Sequence, residues 1–97
     1  MRYMANSRIA VGASRERLVQ FFDESSFSPA AMDLIRQRVA IEYAFKEGDV
    51  PGVVVFLEAD SADEAAALLD ALPVVEQGLV TFDIDPLGKT MHLHPGG

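Results

Sequence analysis

Hydrophobic and polar positions in the first forty residues predict one strand followed by a helical stretch. Residues 1–11 carry hydrophobic side chains among small and polar ones, which is typical of a strand. Ser14 can cap a helix, and a second start signal follows at Ser28 and Pro29, where a capping residue precedes proline. Hydrophobic residues recur at helical spacing on both sides of this second signal. The sequence therefore predicts one long helix broken near residues 24–28, or two short helices.

The second half of the chain predicts a β-hairpin, a helix and a last strand. Residues 41–46 alternate with period two, and a turn-rich loop separates them from the strongly hydrophobic residues 53–57. Residues 61–64 have the sequence of a capping box, so we expect a helix to begin there and to stop at Pro73. Residues 79–85 alternate again and predict the final strand.

This order of elements, βαββαβ, predicts an α+β fold of the ferredoxin-like type, with a four-stranded antiparallel sheet and both helices on one face. The third strand is hydrophobic on both faces, with Val54 and Phe56 opposite to Val53, Val55 and Leu57. Because the helices cover one face only, a second copy packed sheet against sheet is the expected cover for the other. The prediction is a homodimer, a dimeric α/β barrel enclosing a partly hydrophobic cavity. The alternative is a monomer whose tail covers the open face.

Length, charge and composition narrow the function. The 97 residues are interpreted as one domain, residues 1–88, with a C-terminal tail, residues 89–97. Fifteen acidic and eight basic residues give a net charge of −7, which disfavours nucleic acids and anionic membranes as partners. No hydrophobic run is long enough to span a bilayer. Since the chain has no cysteine, thiolate chemistry is excluded, and we expect a cytoplasmic location.

Several short segments of the sequence are similar to one known family. They are residues 1–4, 51–55, 57–61, 71–75 and 78–84. Over about residues 1–87 the chain resembles the muconolactone isomerase-like group of the dimeric α/β-barrel superfamily. The resemblance implies a cavity near the subunit interface, where the family's isomerase moves a double bond in an unsaturated lactone by abstracting and returning a proton. Tyr43 matches the position of a histidine of that isomerase, which implies a related activity on a different small molecule.

Three residues in the predicted strands are candidate catalytic groups. Tyr43 could donate a hydrogen bond to a substrate carbonyl, or it could be a core aromatic residue. Glu42 points to the opposite face from Tyr43, and it is either a general base in the cavity or a solvated charge on an edge strand. Asp83 alternates out of phase with the hydrophobic residues of its strand. It is a functional candidate if it faces the dimer cavity and an ordinary exposed carboxylate if it does not.

Three further residues are candidates for substrate binding. Asn6 and Arg8 belong to a polar patch on the first strand, and Arg8 could bind a substrate carboxylate or form a surface ion pair. Phe56 would supply hydrophobic contact on the second face of the third strand.

The two histidines, His92 and His94, lie two residues apart in the tail, and His92 is a fourth catalytic candidate. Histidine exchanges protons near neutral pH, so a tail that crosses onto the partner subunit could place His92 over its cavity. The pair could also bind a metal together with further ligands, but no cluster in the sequence completes such a site, and none is predicted. His92 and His94 could also have neither a catalytic nor a metal-binding role, because the last residues of a chain are commonly disordered.

The chain has no glycine-rich phosphate loop, no G-x-S-x-G, no dinucleotide fingerprint and no H-E-x-x-H. Proton transfer in a shaped cavity needs none of these. We therefore predict an isomerase or cyclase without a cofactor, acting on a small metabolite that contains a carbonyl or lactone group. The alternative is a non-catalytic small-molecule-binding or accessory protein on the same scaffold. A third hypothesis is a cofactor-free monooxygenase. Such an enzyme would need a pocket lined by aromatic residues, and the chain has few of them.

Overall fold

The computed structural model describes residues 1–25 and 29–89. In this part of the chain the strands and helices are β1 (Arg2–Ile9), α1 (Arg15–Ser25), α2 (Pro29–Arg36), β2 (Ala40–Phe45), β3 (Val53–Glu58), α3 (Ala62–Asp70), α4 (Pro73–Glu76) and β4 (Val80–Leu87). The predicted α+β fold class is confirmed. None of these helices has the length and hydrophobicity needed to cross a membrane, a finding that covers the described residues.

The strands form one antiparallel sheet in the order β2-β3-β1-β4, so β2 and β4 are the outermost of the described strands. Ala5 of β1 pairs with Val55 of β3 on one side and with Ile84 of β4 on the other. In β2, Tyr43 pairs with Val55. The arrangement is consistent with the ferredoxin-like type.

One face of the sheet carries the hydrophobic core. Ala5, Val55 and Leu57 are completely buried there, and they belong to the same cluster as buried residues of the helices. The helical contributors are Leu18 of α1, Ala31 of α2, Ala65 and Leu69 of α3, Leu72 and Val74. The helices therefore cover this face, which we call the helix-covered face.

The described residues between β1 and β2 include the helices α1 and α2, and residues 26–28, where the sequence predicted a break, lie outside the described residues. Ser14 caps α1, since its Oγ accepts a hydrogen bond of 3.1 Å from the main-chain N–H of Arg17. Pro29 begins α2, a position where the missing N–H of proline costs no helical hydrogen bond. The predicted cap at Ser28 lies outside the described residues.

The helix that follows the capping box ends before Pro73, as expected, but Pro73 also begins a further short helix that was not predicted. As predicted, Ser61 caps α3, with Oγ accepting from the Glu64 N–H at 3.1 Å. Helix α3 ends at Asp70, and Pro73 is the first residue of the short helix α4. Proline breaks a helix when it lies in the interior, but it is favoured at the first position of a new one.

Candidate functional site

The second face of the sheet has no helix packed on it in the part of the chain that the structure describes, and we call it the open face. Because successive side chains of a strand alternate between faces, the pairing fixes which residues it carries. They are Arg2, Met4, Asn6 and Arg8 of β1; Val54, Phe56 and Glu58 of β3; Glu42 and Ala44 of β2; and Thr81, Asp83, Asp85 and Leu87 of β4.

The centre of the open face is hydrophobic. Met4 lies directly beside Phe56, and Val54 lies beside Ala44 in the next row of pairs. Met4, Val54 and Phe56 are half-buried by their neighbours. The prediction that β3 is hydrophobic on both faces is confirmed, and its second face is uncovered by the described residues.

An ion pair joins two of the predicted site residues on this face. The Nε of Arg8 lies 2.8 Å from Oδ2 of Asp83 on the neighbouring strand. Both side chains are exposed, at 68% and 49%, so solvent screens the pair and its contribution to stability is small. The sequence left Arg8 and Asp83 as separate candidates, and the pairing of β1 with β4 brings them together.

Asn6 lies next to this ion pair, between Val54 and Asp83 on the two flanking strands. Its side-chain oxygen Oδ1 is buried and has no hydrogen-bond partner among the described residues. A buried polar atom left unpaired costs about 1–3 kcal/mol. A ligand that donates an O–H or N–H at this position would remove that cost.

Two further carboxylates lie on either side of the hydrophobic centre. In one row across the sheet, the order is Glu42, Phe56, Met4, Asp85. Both carboxylates are exposed. Glu42 is therefore on the open face with Asn6 and Asp83, although β2 contains a register irregularity between Ala40 and Glu42. Asp85 was missed by the sequence reasoning, even though it follows the same alternation as Asp83.

Tyr43 lies on the helix-covered face, so the sheet separates it from the other candidates. It pairs with Val55, and its ring centre is 5.6 Å from that of Phe45. Burial raises the pKa of the Tyr43 hydroxyl above its ordinary value of 10.0, so the group stays protonated at neutral pH. The structure thus places Tyr43 in an aromatic cluster and not beside Asp83.

Lys46 was not among the predicted site residues. It follows β2 at the position that continues the alternation of Glu42 and Ala44, and its main-chain N–H donates to the carbonyl of Gly52 at 2.9 Å. Its Nζ donates to the main-chain oxygen of Ser7. Since Gly52 has no side chain, the stem of Lys46 can cross it and reach β1.

A hollow of about 600 Å³ adjoins the open face at its Arg8 end. It is lined by Arg8 and Thr81 together with Ile9, Ala10 and Val11. Most of its lining residues are exposed, and Val11 is completely so, which makes this hollow a shallow surface depression.

The remaining candidate, His92, lies outside the described residues, as does His94. Among the described residues, no group of three or more histidine, aspartate, glutamate or cysteine side chains could hold a metal ion.

Comparison with protein-family models and with curated proteins gives no match for this chain. The resemblance to the muconolactone isomerase-like group is carried by short sequence segments alone and stays a prediction. The open face, with its hydrophobic centre and its polar residues Asn6, Arg8 and Asp83, is the candidate site that the geometry defines.

Proposed function

We propose that two copies of this chain pack with their open faces together, as a dimeric α/β barrel of ferredoxin-like subunits, and that the enclosed space binds a small molecule. The hydrophobic centre formed by Met4, Val54 and Phe56 supports this proposal. These side chains are half-buried, and covering them with a second layer removes hydrophobic surface from water, which stabilises the contact. A second copy offers the same hydrophobic surface, and an isologous contact places like surfaces together.

In that space the protein acts as an isomerase or cyclase without a cofactor, on a metabolite with a carbonyl or lactone group. The observation that carries this proposal is the grouping of Asn6, Arg8 and Asp83 beside the hydrophobic centre. A carboxylate can accept a proton from a carbon beside a carbonyl, and a guanidinium and an amide N–H can donate hydrogen bonds to the oxygen that becomes negative.

The reaction assigns one role to each group. Asp83 accepts a proton from a carbon beside the carbonyl, and the electron pair of the broken C–H bond moves into the enolate. Arg8 and the amide N–H of Asn6 donate hydrogen bonds to the enolate oxygen and stabilise its charge. Asp83 then returns the proton to another carbon of the conjugated system. The double bond has moved, and no net proton or electron is gained or lost.

A non-catalytic binding protein is the second candidate function, and one contact favours it. The Nε of Arg8 lies 2.8 Å from Oδ2 of Asp83, so this carboxylate oxygen already has a hydrogen-bond donor and is not free to take a proton from a ligand. In that case Arg8 and Asn6 bind the polar end of a ligand, and no bond of the ligand changes.

The experiment uses α-angelica lactone, a small β,γ-unsaturated lactone, in D₂O. Proton NMR follows its conversion to the conjugated isomer and the uptake of deuterium. We expect the Asp83→Asn variant to convert the probe about 100-fold more slowly than the unsubstituted protein. Glu47→Gln, which removes an exposed carboxylate of the hairpin loop, is the matched control and keeps the full rate.

Two results would contradict the catalytic proposal. One is turnover that is unchanged in each of the single variants Asp83→Asn, Glu42→Gln, Tyr43→Phe and His92→Gln. The other is binding of the lactone, seen as chemical-shift changes at Asn6 and Arg8, without conversion above the background rate, which would support the binding protein instead.

A further inference from the structure

Asn6 has a buried acceptor atom that no described residue satisfies. Its side-chain oxygen Oδ1 is buried and has no hydrogen-bond partner among the described residues. Buried polar atoms in folded proteins are nearly always paired, so an unpaired one needs an explanation. The residue lies on the open face between Val54 of β3 and Asp83 of β4. Since Val54 has no polar side-chain atom, Asp83 is the neighbour across the strands that can supply a partner.

The protonation of Asp83 decides whether it can bond to this oxygen. Asp83 is directly opposite Asn6 in the pairing of β1 with β4. At such a position the Cβ atoms lie about 5 Å apart, which an amide and a carboxyl group span with one hydrogen bond. An ionised carboxylate accepts hydrogen bonds only, as the amide oxygen does, whereas a protonated carboxyl group has an O–H that donates.

Arg8 determines which oxygen of Asp83 can carry the proton. Its Nε lies 2.8 Å from Oδ2, so Oδ1 of Asp83 is the oxygen left to accept one. The other charged group beside Asp83 on the open face is Asp85, two residues along β4, and no helix of the described residues packs on this face.

We propose that Asn6 accepts a hydrogen bond from Asp83 while Asp83 holds the proton taken from the substrate, an inference that rests on the proposed function. When the C–H bond breaks, its electron pair stays in the enolate and the proton forms an O–H bond at Oδ1 of Asp83. This O–H donates to Oδ1 of Asn6. When Asp83 returns the proton to another carbon, the hydrogen bond is lost, and no net proton or electron has been gained.

The hydrogen bond exists only after the proton has moved. An interaction that is stronger after proton transfer than before it lowers the barrier, whereas one that is equal in both states does not. The amide N–H groups of Asn6 stay available for the enolate oxygen, because asparagine has two donors besides its acceptor oxygen. In the new role Asn6 is a positioning residue, since it acts through Asp83.

A stability measurement tests the hydrogen bond without substrate or turnover. The Asp83→Asn variant replaces the carboxylate by an amide, whose N–H donates as the O–H of the protonated carboxyl group would. Asn6→Ala is made in this variant and in the unsubstituted protein, and each protein is unfolded in urea at neutral pH. We expect Asn6→Ala to lower the urea midpoint by about 0.5 M more in the Asp83→Asn variant than in the unsubstituted protein.

The matched control is Asp85→Asn, the same change two residues along β4, opposite to Met4. In this variant Asn6→Ala should lower the midpoint only as much as in the unsubstituted protein. A larger loss with the Asp83 carboxylate than with Asp83→Asn would overturn the proposal, because Asn6 would then donate its N–H to the ionised group. Equal losses would overturn it as well, since the two side chains would then not interact.

The deuterium content of the product tests the role in the reaction. In D₂O, a proton that Asp83 donates to Asn6 exchanges with solvent less before it is returned to α-angelica lactone. We expect Asn6→Ala to raise the ratio of deuterium to hydrogen at the carbon that receives the proton about fivefold. Met4→Ala, which alters the same face without removing a hydrogen-bonding amide, should keep the ratio.

An unchanged ratio in Asn6→Ala would overturn the role of Asn6 while leaving the proposed function intact. No conversion by the unsubstituted protein would contradict the proposed function itself, and the urea midpoints would still decide on the hydrogen bond.

Discussion

The side-chain oxygen of Ser7 accepts a hydrogen bond of 2.9 Å from the main-chain N–H of Val53 in the core of the protein. Ser7 is 2% exposed and lies on the helix-covered face of β1. Its hydroxyl satisfies an N–H at the start of β3, where the hairpin loop ends. The main-chain oxygen of Ser7 also accepts a hydrogen bond from Nζ of Lys46. Ser7 therefore joins β1 to the hairpin at two points.

Replacing Ser7 by alanine should lower the free energy of unfolding by about 1–3 kcal/mol, because the buried N–H of Val53 loses its partner. Urea unfolding followed by circular dichroism measures the change. Gln37→Ala, at an exposed position after α2, is the control and should have little effect. An equal stability of Ser7→Ala and the unsubstituted protein would show that water or another group replaces the hydroxyl.

Gly52→Ala should also destabilise the protein, by about 1–3 kcal/mol. A Cβ at Gly52 would lie 2.5 Å from Ser7 Oγ and 3.3 Å from Cδ of Lys46, so at least one of them must move. Gly88→Ala is the matched control, since nothing lies within 4 Å of its Cβ position. In the double variant Ser7→Ala/Gly52→Ala the clash with Oγ is gone. Its loss in free energy of unfolding should therefore be smaller than the sum of the losses in the two single variants. Simple additivity would contradict this contact.

Phe56→Asp should convert the proposed dimer to monomers, because it places a charge in the hydrophobic centre of the open face. Analytical ultracentrifugation of the unsubstituted protein should give twice the mass of the 10.5 kDa chain. Val50→Asp, the same change at an exposed loop position, should leave the dimer intact. A single-chain mass for the unsubstituted protein at millimolar concentration would rule out the dimer.

Tyr43 should make stability depend on pH in the alkaline range. Burial raises its pKa above 10.0 in the folded state, so the unfolded chain releases the phenolic proton first. The contribution to stability is therefore complete below about pH 10 and is lost as the pH rises through the folded-state pKa. Urea unfolding at about pH 9 and about pH 11 measures how much the free energy of unfolding falls between them. The fall should be smaller for Tyr43→Phe than for the unsubstituted protein. An identical loss in both would mean that other groups cause it.

The two faces of β3 could be predicted from sequence because a strand has a side-chain period of two. Val53 and Val55 are buried under the helices, while Val54 and Phe56 lie on the open face, as the alternation requires. The start of α3 was predictable for a similar reason, since the Ser61 cap depends only on residues within one turn of helix.

The pairing between distant strands could not be predicted in this way. The contact of Arg8 with Asp83 depends on which residue of β1 lies opposite which residue of β4, and no local pattern determines that register. Whether Glu42 or Tyr43 shares a face with Asp83 also depended on pairing, through the irregularity at Ala40. The short helix α4 was not predicted, because a proline soon after a helix indicates an end as readily as the first position of a new helix.

The irregularity in β2 bears on how the molecules meet one another at high concentration. Between Ala40 and Glu42 the strand has one residue more than its partner β3, and the extra residue, Ile41, is 44% exposed. Such a bulge bends and twists an outer strand, so a neighbouring molecule finds no straight row of donors and acceptors to extend. The bulge therefore hinders the growth of a continuous intermolecular sheet from β2, although the hydrophobic side chain of Ile41 is exposed there.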